Sequence, residues 1–348
     1  MKLTDYRTLG NSGLIVSPLT LGTMTFGQPR WGTDNVASQK IFDSYLNVGG
    51  NFIDTADVYA NGESEKLVGN FIKVKNARDK VVLGTKFGFN SESGNPNTGG
   101  NGRKNIHRAI EGSLKRLRTD YIDIYWLHVW DMVTPVEEVL QTLGDLVHSG
   151  KIRYFGLSNM PAWYAAKCSS IASERHVSGP IAQQLYYSLA DRTIELEHIP
   201  LAKDARQGIV PWSPLAYGFL TGKYKRDDMG NLYSAKGRLD VYNPMPAVNE
   251  KQWSMLSIVS DIALEKQCSM AQVALAWVIQ QQGISSTLMG VSTIGQLEEN
   301  IRALDIKFTT EELERLEICS ANDTFFPYGI FKAEINKSIF GGNRVLGW

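Results

Sequence analysis

The sequence predicts an α/β fold, a (β/α)8 TIM barrel with long loops at its C-terminal face. Three observations predict it. Short apolar runs recur along the chain, the early ones are each followed by a stretch with helical spacing, and the interval between run ends stays near the length of one strand plus one helix. The run ends at Thr23, Asp54, Lys86, His128, Asn159 and Gln184 stand 31, 32, 42, 31 and 25 residues apart. A strand-and-helix unit repeated at that interval means βαβ crossovers and a parallel sheet. Eight such units favour a closed barrel over an open, doubly wound sheet.

In chain order, the strand candidates are PLTLGT to Thr23, NFID to Asp54, VVLGTK to Lys86, YIDIYWLH to His128, IRYFGLSN to Asn159, IAQQ to Gln184, GIVPW to Trp212 and STLMGVS to about Ser292. Helices are expected over 36–48, 64–74, 103–117 and 136–147, where apolar residues recur three or four apart. Gly150 reads as a helix stop and Pro161 as a helix start. Two long polar loops, 88–102 and 213–247, follow strands, so a barrel puts both on its catalytic face. The aromatic-rich tail from Phe325 onward either folds over that face or caps the barrel elsewhere. No linker or internal repeat divides the chain, so residues 1–348 are expected to form a single domain.

Composition narrows the function. Lys plus Arg and Asp plus Glu both number 36, so zero net charge argues against nucleic acid or an anionic membrane as partner. Cys168, Cys268 and Cys319 form no C-x-x-C pair, which points away from a disulfide framework or zinc site and toward reduced thiols in a cytoplasmic setting. No apolar stretch has the length of a signal peptide or a membrane span.

Polar residues with chemical potential cluster at strand ends. In a barrel, Asp54, Lys86 and His128 converge on one mouth, and Tyr59, in the loop just after the second strand, leans in. Taken singly, each has an ordinary reading: Asp54 a helix cap, Lys86 an exposed strand-end charge, His128 a hydrogen-bonded core residue. Together they suit one reaction. A phenol is a poor acid at neutral pH, an adjacent ammonium stabilises its phenolate, an aspartate keeps the lysine charged, and a histidine orients a carbonyl. This set delivers a proton to a carbonyl oxygen while hydride reaches its carbon. Asp57 reads as a turn or solvent-facing residue. The chain holds no G-x-S-x-G, G-x-G-x-x-G or G-x-x-x-x-G-K-[ST], so a hydride-carrying dinucleotide has to bind across the barrel mouth.

Those residues and their surroundings resemble the aldo-keto reductase superfamily over nearly the whole chain. DTADVYANGESEKLVG carries Asp54 and Tyr59, LGTKFG carries Lys86, and SLKRLRTDYIDIYWLHVWD carries His128. GKIRYFGLSN, PWSPLAYGFLTGKY and GVSTIGQLEENIRAL follow in the family's order. HVWD, SNMPAW and YYSLADR look most like the longer bacterial and fungal branch that includes aryl-alcohol dehydrogenases, with potassium-channel β-subunits more distant.

The resemblance implies an extended NADP(H). Ser158, Asn159 and Gln184 match positions that hold the nicotinamide carboxamide, and Trp212 the position on which the ring stacks. Ser213, Leu215 and Lys223 match pyrophosphate contacts, with Pro214, Gly218 and Arg238 on the same loop. Gly290, Ser292, Gln296, Glu299 and Asn300 match the adenosine end, while Gly22, Thr23, Met24 and Asp54 are expected to bind the cofactor from the ends of the first two strands. Read without the resemblance, 292–300 is ordinary helix capping. Where many members place Lys or Arg near the adenosine 2′-phosphate, GVSTIGQ offers hydroxyls and an amide, with Arg302 beyond. Trp31, Trp130 and Tyr217, beside Tyr59 and His128, are candidates for an apolar pocket taking aromatic or other hydrophobic aldehydes and ketones, or the corresponding alcohols. The competing expectations are a nicotinamide-sensing regulatory subunit with little turnover and a barrel isomerase that works without redox chemistry.

Overall fold

The computed structural model describes residues 1–29, 31–226, 232–233, 239, 248–331 and 333–345. Eight parallel strands form the barrel: β1 (Leu19–Gly22), β2 (Phe52–Asp54), β3 (Val82–Phe87), β4 (Ile122–Leu127), β5 (Ile152–Ser158), β6 (Ala182–Tyr186), β7 (Gly208–Trp212) and β8 (Thr287–Gly290). They run in the order β8-β1-β2-β3-β4-β5-β6-β7. The seam between β7 and β8 is drawn together by a parallel bridge from Ile209 to Ile284 and by Ser285 N–H donating to the Ile209 carbonyl at 2.9 Å. Every strand ends within two residues of its expected position.

The crossover helices α1 (Asn35–Asn47), α2 (Glu63–Lys75), α3 (Arg103–Leu117) and α4 (Val136–His148) match their expected ranges to within a residue. Asp34 caps α1 by accepting the Ala37 N–H, which satisfies one of the free donors of its first turn. Gly150, at φ 75°, ends the α4 region in the left-handed conformation that suits glycine, and Pro161 caps α5 (Ala162–Glu174). Next come α6 (Ile194–Asp204), α7 (Glu250–Glu265), α8 (Met270–Ile279), α9 (Ile294–Ile301), α10 (Thr310–Ser320) and α11 (Ala333–Ile339). Among the described residues, no helix is long and apolar enough to cross a membrane. The tail after α10 runs beside the start of α6, where Asn322 donates to the Arg192 carbonyl and Tyr328 to Glu197.

Strand alternation sorts the core into two layers. Ile53, Leu83, Tyr125, Leu127, Phe155 and Leu157 face the helices and pack with Phe42, Leu67, Ile110 and Leu143. Phe52, Val82, Ile124, Trp126, Ala182, Val210 and Leu288 fill the barrel itself. Leu9 and Val16, from an N-terminal hairpin of Arg7–Thr8 and Ile15–Val16, join this inner cluster and plug the barrel's base. Counting onward by two from the inner residues gives Asp54, Lys86, His128, Gln184, Trp212 and Gly290. The alternation that builds the inner core therefore delivers the polar residues to the mouth.

Trp126 is the largest side chain in that interior, and β5 makes room for it. A β-carbon on Gly156 would stand 2.3 Å from Trp126 Cζ3. Gly156→Ala is expected to displace the indole and cost roughly 1–3 kcal/mol of overpacking, read as a lower urea midpoint with an unchanged slope.

Candidate active site

Lys86 is the centre of the mouth. It is 1% exposed, and its ammonium donates to Asp54 Oδ2, to the Thr55 carbonyl at 2.8 Å and to the Tyr59 hydroxyl at 3.3 Å. Burial works against the charge, but Asp54 and Tyr59 outweigh it and hold Lys86 above the ordinary lysine range. The second oxygen of Asp54 accepts Gln184 Nε2 at 3.2 Å, a bond that spans the barrel from β6 to β2. Gly84 leaves room for this cluster: a β-carbon there would lie 3.1 Å from both Asp54 Oδ1 and Trp126 Nε1.

Tyr59 is half-buried and meets the edge of the His128 ring, with centroids 5.9 Å apart. Phe89, from the loop after β3, approaches the same imidazole edge-on at 4.8 Å. Burial and then the Lys86 charge push His128 well below its usual range, so the imidazole is neutral near pH 7. Its Nδ1 is buried without a partner among the described residues. The structure thus brings Asp54, Tyr59, Lys86 and His128 into one contiguous cluster.

The other expected residues divide. Asn159 Nδ2 donates to the His128 carbonyl at 2.9 Å and to Ser158 Oγ at 3.0 Å, and its Oδ1 accepts Trp212 Nε1 at 3.0 Å. Its amide thus joins three protein groups, and its oxygen keeps a second acceptor site. Trp212 is half-buried against Tyr186, and Tyr217 packs on both rings, so Tyr217 backs Trp212. In the loop after β7, Tyr217 N–H donates to Ser213 Oγ at 3.2 Å, Pro214 is buried, and Leu215 packs into the core. Lys223 folds back toward Gly218, which has φ 94°. Arg238 lies outside the described residues.

At the β8 end, Gly290 is exposed with open space where a β-carbon would stand. Ser292 N–H and Oγ both donate to Gln296 Oε1, and Thr293 caps α9 by accepting the Gln296 N–H. These polar groups cap the start of α9. Asn300 is buried, and the Glu299 carbonyl accepts Gln272 Nε2. Gly22 ends β1 beside Gly290, Met24 is half-buried, and Thr23 ties the end of β2 to α2 through Asp54 and Ser64. The open edge at Gly290 and the half-buried indole of Trp212 fit an extended dinucleotide laid across the mouth.

Trp130 packs edge-on against Trp163, which is 58% exposed, and Trp31 is half-buried in the loop after β1. Phe89 and Trp163 belong to this aromatic rim but were not among the expected residues. Their only signals are an aromatic three residues after Lys86 and another four after Asn159.

A family model described as the Aldo/keto reductase family matches residues 18–321. The chain belongs to that family. It is 37% identical over 331 residues to the uncharacterized oxidoreductase YrpG of Bacillus subtilis (strain 168), with 92% of this chain and 96% of the relative covered. An aryl-alcohol dehydrogenase of Pestalotiopsis microspora is 31% identical, covering 94% of this chain and 85% of that protein. A probable voltage-gated potassium channel subunit beta of Oryza sativa subsp. japonica is 34% identical, covering 90% and 95%. As an aldo/keto reductase, the protein is an oxidoreductase built on the nicotinamide-using barrel.

Asp57 lies in a turn, one of the two readings its sequence offered; the other is corrected. Asp57 does not face solvent: it is 6% exposed, and its Oδ1 has no partner among the described residues. It lines a cavity of about 290 Å³ with Arg108, Arg116, Asn61, Asn90 and Ser91. The arginines come from α3, more than fifty residues along the chain, so nothing local to Asp57 announces its burial. Burial, then the Glu65 charge, pushes its carboxyl up to about 7. Between the unfolded value of 3.8 and about 7, the folded state keeps a proton that the unfolded chain has lost. Asp57 therefore lowers stability progressively as pH rises through that window, and the loss persists above it. Asp57→Asn should gain on the order of 2–4 kcal/mol at about pH 8 and little near pH 4, measured by denaturant unfolding at both values.

Proposed function

We propose that this aldo/keto reductase is an NADP(H)-dependent carbonyl reductase in which Tyr59 is the proton donor. The observation that supports it most is the Lys86 ammonium, which joins Asp54, the Thr55 carbonyl and the Tyr59 hydroxyl. When bound, the nicotinamide supplies hydride to the carbonyl carbon. Tyr59 gives its proton to the carbonyl oxygen, and Lys86 stabilises the charge left on the phenol oxygen. Asp54 holds Lys86 charged and aimed at Tyr59. His128, neutral and beside Tyr59, orients the carbonyl by a neutral hydrogen bond and adds no competing acid. In the direction of alcohol oxidation Tyr59 acts as base. Trp212, Ser158, Gln184 and the open edge at Gly290 are the groups that hold the cofactor, with Ser213, Lys223 and the α9 start contributing along its length.

Phe89, Trp130 and Trp163 rim the site with aromatic surface, which favours aromatic aldehydes and ketones over short aliphatic ones. The similarity to an aryl-alcohol dehydrogenase points the same way. Cys168, Cys268 and Cys319 are all unpaired, in keeping with a cytoplasmic enzyme. The similarity to a potassium channel subunit beta supports a second reading, a cofactor-binding sensor with little turnover. Steady-state NADPH oxidation with 4-nitrobenzaldehyde separates the two: sustained turnover is expected, and a single stoichiometric burst favours the sensor. Tyr59→Phe should keep NADPH affinity, read by fluorescence titration, and lose about 10²–10⁴-fold in kcat. Near-parental kcat would remove Tyr59 as the proton donor. Across a substrate panel run with both cofactors, NADPH should give the higher kcat/KM.

A further inference from the structure

Behind the tetrad, on the helix side of β3, lies a second ion pair, between a buried carboxylate and a half-buried guanidinium, that the proposed chemistry does not use. Glu65, in the first turn of α2, is fully buried. Its Oε2 accepts Arg116 Nε at 2.6 Å, and its Oε1 accepts Thr85 Oγ1 at 2.6 Å. Thr85 precedes Lys86, and strand alternation turns Thr85 toward the helices while Lys86 turns into the barrel. One carboxylate therefore grips the strand residue next to the catalytic lysine.

Arg116 carries the grip to the turn that begins at Tyr59. Its side chain runs against the turn Tyr59–Gly62: a β-carbon on Gly62 would stand 2.9 Å from Arg116 Cδ and 3.1 Å from Nε. Ala60, Asn61 and Gly62 have φ of 47°, 55° and 85°, three left-handed residues in succession. Two of them bear a β-carbon, and such a run persists only where its surroundings over-determine it. The turn's own bonds run from Tyr59 N–H to the Ala56 carbonyl and from Asn61 N–H to the Val58 carbonyl, both 3.2 Å, and from Glu63 N–H to the Tyr59 and Ala60 carbonyls, and none of them reaches the Tyr59 side chain. A hydrophobic pair in place of Glu65 and Arg116 would serve stability as well, since taking the Glu65 carboxylate out of water offsets much of what the pairing gains. It would not supply two directed bonds.

We propose that Glu65, acting through Arg116 and Thr85, is a positioning residue that sets the Tyr59 hydroxyl against the Lys86 ammonium. The proposal rests on the roles proposed for those two residues. Glu65→Gln keeps the shape but weakens both bonds. It should lower kcat about 10–100-fold, the scale of an ångström's misplacement. KM and the NADPH dissociation constant should stay within about twofold, and thermal unfolding should remain cooperative. The limb of the kcat pH profile that disappears in Tyr59→Phe should also shift. A merely structural role would lower the melting temperature and leave kcat per folded molecule and that limb unmoved.

Thr85→Val, which removes only the hydroxyl donor, is the milder probe and decides the matter if Glu65→Gln does not fold; a loss of about 3–10-fold in kcat is expected. Folded variants with parental kcat and an unshifted profile, beside an inactive Tyr59→Phe, overturn the positioning role alone. A fully active Tyr59→Phe instead overturns the proton-donor reading, and the positioning role with it.

Discussion

The mouth of this barrel is organised by one dry ammonium. Placing Lys86 at 1% exposure removes its hydration, a penalty of several kcal/mol that only close, well-aimed acceptors offset. Asp54, the Thr55 carbonyl and the Tyr59 hydroxyl are those acceptors, and each constrains the chain around it. β2 has to end at Asp54, level with Gly84 on the neighbouring strand. The backbone then turns so that the Thr55 carbonyl faces inward, and the chain returns within four residues to bring in a phenol. Losing one partner of such a pair leaves an uncompensated buried charge, at about 3–5 kcal/mol. The arrangement is therefore held together by the charge it was built to hold.

Core and site share one geometric rule. Side chains alternate along each strand, so the register that sends Phe52, Val82 and Ile124 into the barrel also sends Asp54, Lys86 and His128 toward its mouth. Glycine is needed where this inner layer is most crowded. Gly156 faces the Trp126 ring, and Gly84 lies beneath Asp54 and the Trp126 nitrogen. Packing below the mouth and polarity at the mouth are thus adjacent layers of one stack.

Much of this was legible in the sequence for the same reason. Parallel strands buried on both faces read as apolar runs, and the site residues interrupt those runs at their ends. Asp54, Lys86 and His128 are visible because each breaks a pattern. What escaped notice depends on contacts between distant segments. Asp57 is buried by Arg108 and Arg116 from α3, and no pattern near Asp57 carries that information. Phe89 sits in the loop after β3 and Trp163 on the exposed side of the first turn of α5, so their approach to His128 and Trp130 has no periodic apolar signature. Ser292 and Gln296 stand at the start of α9, as the spacing suggests, and their polar groups cap it.

The amide of Asn159 has a consequence beyond its contacts. It joins the carbonyl after β4, the hydroxyl at the end of β5 and the indole at the end of β7, while Gln184 links β6 to β2 across the opening. Five of the eight strand ends are thereby cross-braced by protein groups alone. An arriving molecule meets a template whose order was established when the chain folded. Little configurational freedom is left to extinguish on association, so discrimination between ligands rests on fit rather than on the work of assembling a pocket.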